Sequence, residues 1–422
     1  MILPEDFIRE MQELLRERYP LFEDAYQQIP YCGLRFNTLK LSKTDYKTIS
    51  DFSLQPIEWC EDGFYYDVNQ QPGKHPFHEA GLYYIQEPSA MKPVEEMNIK
   101  MGDRVLDLCA APGGKATQIA CKLQNTGLLL ANEINRSRSM ILAGNFERFG
   151  VKQAVVCNET PKRLADSFPE YFDKVLVDAP CSGSGMFRKE PQVISEWSKE
   201  VPYHCAKRQR EILRSAVGLL KSGGILLYST CSFSACENEE ITEWLVREYP
   251  EFKLIKEERL WPFTIKGEGH YYAIFRKDGT CEIVKKYRRT KKHKSKVQIK
   301  EWLNYNKIDI SLGDLVDTGN QLNMIDSEFP DVSRLKVIRY GLPLGEIRSR
   351  IFIPHHSLAM VLKPHINLSF DETVSYLAGQ EIRCDHPDQW VVVGYGGYAL
   401  GWGKMVKGTL KNHLPKGLRR NY

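Results

Sequence analysis

The chain has 422 residues, 42% apolar and 27% charged, with a formal net charge of +4; at about 150 residues per domain this makes roughly three domains with cores of their own. Such a composition excludes disorder over most of the length, as well as collagen-like and low-complexity classes. The longest apolar stretches, Gly127 to Ala131 and Gly224 to Tyr228, are far short of the roughly 20 residues that cross a bilayer, and the acidic start MILPEDFIREMQ lacks the pattern of a secretory signal, so a cytoplasmic protein without a membrane segment is expected.

The first predicted element is an amphipathic helix over 5–18, with Phe7, Met11, Leu14 and Leu15 on one face at the 3.6-residue period. Gly33 to Lys40 alternates like a strand, 43–52 reads as a short polar helix, and 57–66 as a second strand. These form a small α/β domain over 1–76, closed by the turn-rich Gln70-Gln-Pro-Gly-Lys-His-Pro76. From 77 to 277, segments apolar on both faces (104–108, 127–131, 154–157, 174–178, 224–229) alternate with helical segments (115–123, 136–149, 206–220). Strands of that kind belong to a parallel sheet covered on both sides, so a doubly wound α/β domain follows, with a late strand at 269–276.

Residues 278–300 read as a basic linker. Lys285 to Lys300 holds nine Lys or Arg and no acid, so the other residues carry −5 once those nine are taken from +4. Residues 301–422 contain short strand-like pieces with aromatic and glycine content, among them Trp390 to Trp402, which suit a β-rich domain. Lys404, Lys407, Lys411, Lys416, Arg419 and Arg420 form a second acid-free run. Two such runs suit a phosphate backbone, although either alone reads equally well as a solvated linker or tail.

The chemistry begins at Leu106-Asp-Leu-Cys-Ala-Ala-Pro-Gly-Gly-Lys115, where an apolar strand stops at small residues before a helix. Small side chains admit a ligand to the backbone, and the helix start offers unpaired N–H groups. Neither G-x-x-x-x-G-K-[ST] nor G-x-G-x-x-G fits, because Cys109 and Ala116 stand at the deciding positions of the first. Glu133 ends the next strand, 19 residues after Gly114, at a distance suited to ribose hydroxyls. Loop and acid together indicate an adenosine cofactor, either NAD or S-adenosylmethionine. Asp178-Ala-Pro-Cys-Ser-Gly-Ser-Gly-Met-Phe-Arg-Lys189 then follows the fourth strand, and Tyr228-Ser-Thr-Cys-Ser-Phe233 the fifth. The carboxyl edge of an open α/β sheet hosts the ligand, so Cys181 and Cys231 converge on one cleft. Either thiol alone would read as a small buried hydrophobe, the fate expected for most of the eleven cysteines; their odd count and lack of C-x-x-C pairs disfavour disulfides and zinc. No metal spacing is found among the ten histidines.

LCAAPGGK, DAPCSGSGMFRK and STCSFSACENEE, in this order and preceded by Gln86-Glu-Pro-Ser-Ala-Met91, resemble the Sun/Nop family of RNA cytosine-C5 methyltransferases. The end of the chain, with Lys416-Gly-Leu-Arg419, resembles the PUA-like RNA-binding extension of its bacterial small-subunit ribosomal RNA members. The resemblance implies a Rossmann-like S-adenosylmethionine-dependent domain between a small N-terminal α/β RNA-binding domain and a β-rich PUA-like domain. It implies Cys231 as the nucleophile that adds to cytosine C6, and Cys181 as the second cysteine, which helps release the product. Asp178 would hold the amino and N3 edge of the base, with Lys115 keeping it ionised or oriented. Cofactor contacts fall on Cys109, Ala110, Ala111, Pro112, Gly113, Gly114, Lys115, Glu133, Asp178 and Asn158, a position where many relatives carry Asp. The expected substrate is 16S ribosomal RNA, naked or in the small subunit, acted on by a monomer without metal. Transfer RNA methylation, an RNA-binding ribosome assembly factor and an NAD oxidoreductase are the alternatives, and paired loop cysteines have no use in the last. Tyr395, Tyr398 and Trp402 could stack on bases, but a β-domain core suits most of them better.

Overall fold

The structure is a computed structural model that describes residues 2–46, 49, 51–280, 293–326 and 329–420. The chain opens with two helices, Glu5–Leu15 and Tyr19–Gln27. The single helix expected over 5–18 breaks at Arg16, whose φ of 50° leaves helical space, and Pro20 starts the second helix. Phe7, Met11, Leu15, Phe22 and Tyr26 pack against Phe187, Trp197, Phe233 and Trp261, so this pair leans on the cysteine loops. Strands β1 (Cys32–Phe36), β2 (Leu54–Ile57), β3 (Cys60–Tyr66) and β4 (Tyr83–Ile85) form a sheet in the order β2-β3-β1-β4. The strand expected at 57–66 is present as β3 from Cys60 onward, while Ile57 ends β2, its hairpin partner, and β4 carries this sheet past residue 76. The expected polar helix at 43–52 is absent from its described residues, which form turns; 47, 48 and 50 lie outside them.

The central sheet holds β5 (Arg104–Asp107), β6 (Leu128–Asn132), β7 (Ala154–Cys157), β8 (Phe172–Asp178), β9 (Leu220–Thr230), β10 (Phe252–Leu260) and β11 (His270–Lys277). β5 to β9 run parallel, whereas β11 is antiparallel to β9 and to β10. Helices cover both faces, with Ile119, Leu142 and Phe146 on one side and Leu164, Leu213 and Ile241 on the other, as the uniformly apolar strands require. The strand order is β10-β11-β9-β8-β5-β6-β7. It reverses between β5 and β8, which opens a crevice at their carboxyl ends.

Helix Lys296–Tyr305 buries Ile299 and Leu303 in a C-terminal core, so residues 296–300 of the expected linker belong to that unit, and 281–292 lie outside the described residues. The hairpin β12 (Asp314–Thr318) and β13 (Gln321–Ile325) follows, then β14 (Val337–Tyr340), β15 (Leu342–Arg348) and β16 (Ile351–Pro354). β14 does not stay with its neighbours in sequence. It pairs antiparallel with β7, Val337 opposite Cys157 and Tyr340 opposite Val155, as the eighth strand of the central sheet. The last sheet joins β17 (Ile366–Leu368), β18 (Ile382–Arg383), β19 (Trp390–Tyr395), β20 (Tyr398–Val406) and β21 (Thr409–Asn412). Trp402 is buried in this C-terminal core, and Tyr395 and Tyr398 pack on Phe77 at 5.1 and 6.2 Å between ring centroids. All three are packing residues.

At the junction, Glu147 accepts a hydrogen bond from Ser357 Oγ at 2.7 Å and lies 2.6 Å from His356 Nδ1. Buried Arg339 donates to Val151 O at 2.6 Å and Ser357 Oγ at 3.1 Å. Among the described residues no helix is long and apolar enough to cross a membrane, and no group of three or more His, Cys, Asp or Glu is placed to hold a metal.

Candidate active site

Strand β5 delivers Asp107 to the crevice, and the chain then turns through Gly113, whose φ of 121° favours glycine, into helix Gly114–Leu123. Arg35, buried on β1, donates to Gly114 O at 3.1 Å, Thr117 Oγ1 at 2.8 Å and Gln86 Oε1 at 3.1 Å. The N-terminal sheet thereby holds the glycine loop, which explains why Gln86 precedes it in the chain.

Lys115 Nζ lies 2.8 Å from Asp178 Oδ2 across the crevice. Ser229 Oγ donates to Asp178 Oδ1 at 2.8 Å, and His270 Nε2 stands 3.8 Å from the same oxygen. Burial opposes ionisation of Asp178, but the Lys115 ammonium and His270 outweigh it and hold the carboxyl well below its usual range. Burial, then the Lys115 charge, lowers His270, and the neighbouring Asp178 works against them. Asp107 is fully buried and neither oxygen has a side-chain hydrogen-bond partner. Burial, reinforced by the Asp178 charge, pushes it up to about 8.

The two cysteines meet. Cys181 Sγ and Cys231 Sγ are 3.3 Å apart, and the contact with Cys231 together with burial raises the Cys181 thiol well above its ordinary range. Gly185 N donates to Cys231 O at 2.7 Å, and a Cβ on Gly185 would lie 2.6 Å from that oxygen; glycine is required for the two loops to touch. Glu237, fully buried, fastens both loops. Its carboxylate accepts hydrogen bonds from Ser182 N at 2.9 Å, Gln209 Nε2 at 3.0 Å and the hydroxyls of Ser182 and Ser232. Its signal stood inside STCSFSACENEE, but nothing in the sequence shows that one acid reaches the neighbours of both cysteines. Arg188, a cation of the first loop, is consumed in a buried ion pair with Glu268 at 2.7 Å and in a hydrogen bond to Ala25 O.

Two cavities, of about 630 and 700 Å3, share Cys109, Asp178, Cys181 and Cys231. Gln86, Asp107, Lys115 and His270 line the first; Glu133, Ile134, Pro161 and Arg208 line the second. Glu133 is buried and already engaged: it accepts from Asn135 N at 2.8 Å and lies 3.2 Å from Arg138 Nη1. Asn158 lines neither cavity; its amide donates to Glu133 O and Ile134 O, both at 2.8 Å, and so braces the loop that carries Glu133. The other predicted positions, Cys109 to Lys115, Asp178 and the two thiols, gather at the crevice, with Gly113 setting the turn.

A parallel core that reverses between β5 and β8, a glycine loop after the first core strand and an acid after the second define a Rossmann-like adenosine-cofactor domain, and comparison with known proteins makes it an S-adenosylmethionine-dependent methyltransferase. Family models match along the chain: 16S rRNA methyltransferase RsmB/F over 94–276, the N-terminal domain of 16S rRNA methyltransferase RsmF over 3–88, the RsmF rRNA methyltransferase first C-terminal domain over 300–362, and the methyltransferase RsmF PUA domain over 363–420. The Ribosomal RNA small subunit methyltransferase F of Vibrio parahaemolyticus is 31% identical over 99% of this chain and 98% of its own length; that of Shewanella piezotolerans is 32% identical over 92% and 90%. This chain belongs to the 16S rRNA methyltransferase RsmB/F family, as its resemblance to the Sun/Nop enzymes implied. Among solved structures, a methyltransferase homolog protein from Pyrococcus horikoshii aligns at TM-score 0.58 and 28% identity, over 65% of this chain and 95% of that one. NSun6 from the same organism, solved with SFG, shares the fold at TM-score 0.59 and 20% identity over 66% and 99%.

Proposed function

We propose that the protein methylates C5 of a cytosine in 16S ribosomal RNA through a covalent adduct between Cys231 and C6. One observation carries this reading: two thiols from separate loops touch where two cavities meet, beside an ionised Asp178. The names of the relatives support the substrate.

Cytosine C5 is too weak a nucleophile to accept a methyl group directly. When the Cys231 thiol gives up its proton to the medium and its thiolate attacks C6, the Sγ–C6 bond forms, the C5=C6 π pair moves to C4–C5, the C4=N3 π pair moves onto N3, and N3 takes up a proton in turn. Asp178, kept anionic by Lys115 and His270, accepts the hydrogen bonds of the 4-amino group and protonated N3. S-adenosylmethionine supplies an electrophilic methyl group when bound. With C4=N3 restored, C5 loses its proton to solvent, the C5–H pair forms C5=C6, the C6–Sγ bond breaks to expel Cys231 as thiolate, and N3 releases its proton. Cys181, its thiol held neutral, donates a hydrogen bond to that departing sulfur. The target base must be unpaired or flipped to present C6.

The residues fit the cofactor. Cys109 to Pro112 and Gly114 line the first cavity, Glu133 faces the cavity suited to the ribose, and Asp107 is a buried acid on the first cavity without a side-chain hydrogen-bond partner. Asn158 acts on that site through the Glu133 loop.

Bisulfite mapping of 16S RNA methylated by the purified protein tests the position. Cys231→Ala should lose at least about 10³-fold in rate. Cys181→Ala should add to the base but fail to leave it, giving an adduct that survives denaturing gels. Normal turnover of Cys181→Ala without an adduct would overturn the division of labour.

A further inference from the structure

Helix Val201–Leu219 crosses the mouths of both cavities: Val201 lines the first, and Arg208, Ile212 and Ser215 line the second. Its inner face is spoken for, with Leu213 and Ala216 in the core and Gln209 on the Glu237 carboxylate. The outer face of its opening turns is different. Tyr203 is 62% exposed, and His204, Lys207 and Arg208 are exposed around it. Residues four apart share a helix face, so Tyr203 stands beside Lys207, and His204 beside Arg208.

Several lysines of this domain are paired with acids, Lys122 with Glu95 at 2.6 Å, Lys253 with Asp278 at 2.7 Å and Lys277 with Glu170 at 2.8 Å, so that their charge is cancelled locally. Lys207 and Arg208 make no ion pair within 4.0 Å among the described residues, although Glu211 lies on the next turn. Uncancelled cations beside a solvent-facing aromatic ring call for a partner with both negative charge and flat π faces. A single RNA strand has both, in phosphates and unstacked bases.

We infer that this face is the track for the RNA strand next to the target nucleotide. Lys207 and Arg208 take adjoining phosphates, and Tyr203 stacks on a base neighbouring the flipped cytosine. The track holds unpaired RNA in front of the thiols and so selects single-stranded over duplex substrate. The inference rests on the reading of the site as an RNA methyltransferase.

The test uses the full chain and its Tyr203→Ala and Lys207→Gln variants, titrated by fluorescence anisotropy against a short cytidine-containing single-stranded RNA over a series of salt concentrations. S-adenosylmethionine affinity is read in parallel by calorimetry. Tyr203→Ala should weaken RNA binding about tenfold, and Lys207→Gln should flatten the log–log salt slope by about 0.7, one phosphate contact on a single strand. Cofactor affinity should stay unchanged in both. If the parent binds RNA and both variants match it in affinity and slope, the track is wrong and this face serves a different macromolecule. If the parent binds no RNA, the underlying reading of the site fails as well.

Discussion

Asp107, fully buried, and Glu147, half-buried, are two carboxylates of one domain with opposite fates. Glu147 projects from helix Arg136–Phe149 into the junction with the C-terminal half. Burial works against its charge there, yet His356, His355 and Ser357 overturn that cost and hold it at about 2. Asp107 ends β5 with no side-chain partner and a second carboxylate nearby, and it rises to about 8. The contrast separates two uses of buried charge. At the junction every lone pair that matters is answered from within the chain, which fixes two regions to each other. In the crevice the Cys109 backbone and the Lys115 charge offset the burial of Asp107 only in part and no side chain bonds it, as expected where a ligand completes the set.

The comparison breaks first at Glu147. Glu147→Ala should cost about 3 kcal/mol or more, because it strands the buried groups around it; urea denaturation reads the loss. The contribution of the native carboxylate is present above its ordinary value of 4.5 and disappears as pH falls from there towards 2, so parent and variant should converge in acid.

A smaller effect comes from Glu237, which resembles Glu147 in being answered internally but holds the reactive loops. Glu237→Ala should lower kcat about a hundredfold by misplacing the thiols, with Glu237→Gln recovering part of it because an amide oxygen still accepts from Ser182 N; single-turnover assays measure both. Asp107→Asn tests the other side of the comparison. Between pH 3.8 and about 8 the folded Asp107 binds a proton that the unfolded chain has lost, so parent stability falls through that window. The melting temperature of the variant relative to the parent should climb from pH 4 to 8 and level above it. A flat difference would show that Asp107 is answered after all.

The fold was largely legible because the core strands are apolar on both faces, and the crevice because its loops combine Pro, Gly and Cys at strand ends. Other parts had no such signal. Val337-Ile-Arg-Tyr340 is too short and mixed to announce a strand, and its partner β7 lies about 180 residues away in the chain. Arg35, reading as one cation in an alternating strand, gave no sign that it reaches the glycine loop. Arg188 reads only as a cation of the first cysteine loop, because sequence cannot show that Glu268 folds onto it. Tyr203 sits in a helix that was read from Ala206 onward: Pro202, allowed in a first turn, masks the true start.

β14 has a consequence for anyone dividing this molecule. The strand is supplied by the C-terminal half but hydrogen-bonds to the rim of the catalytic sheet. A catalytic fragment cut at residue 277 would present β7 with a bare row of amides and carbonyls, the template on which strands of other molecules assemble. Such a fragment should clump, and chimaeras that exchange the tail for one from another enzyme need a donor that brings a strand matching this rim.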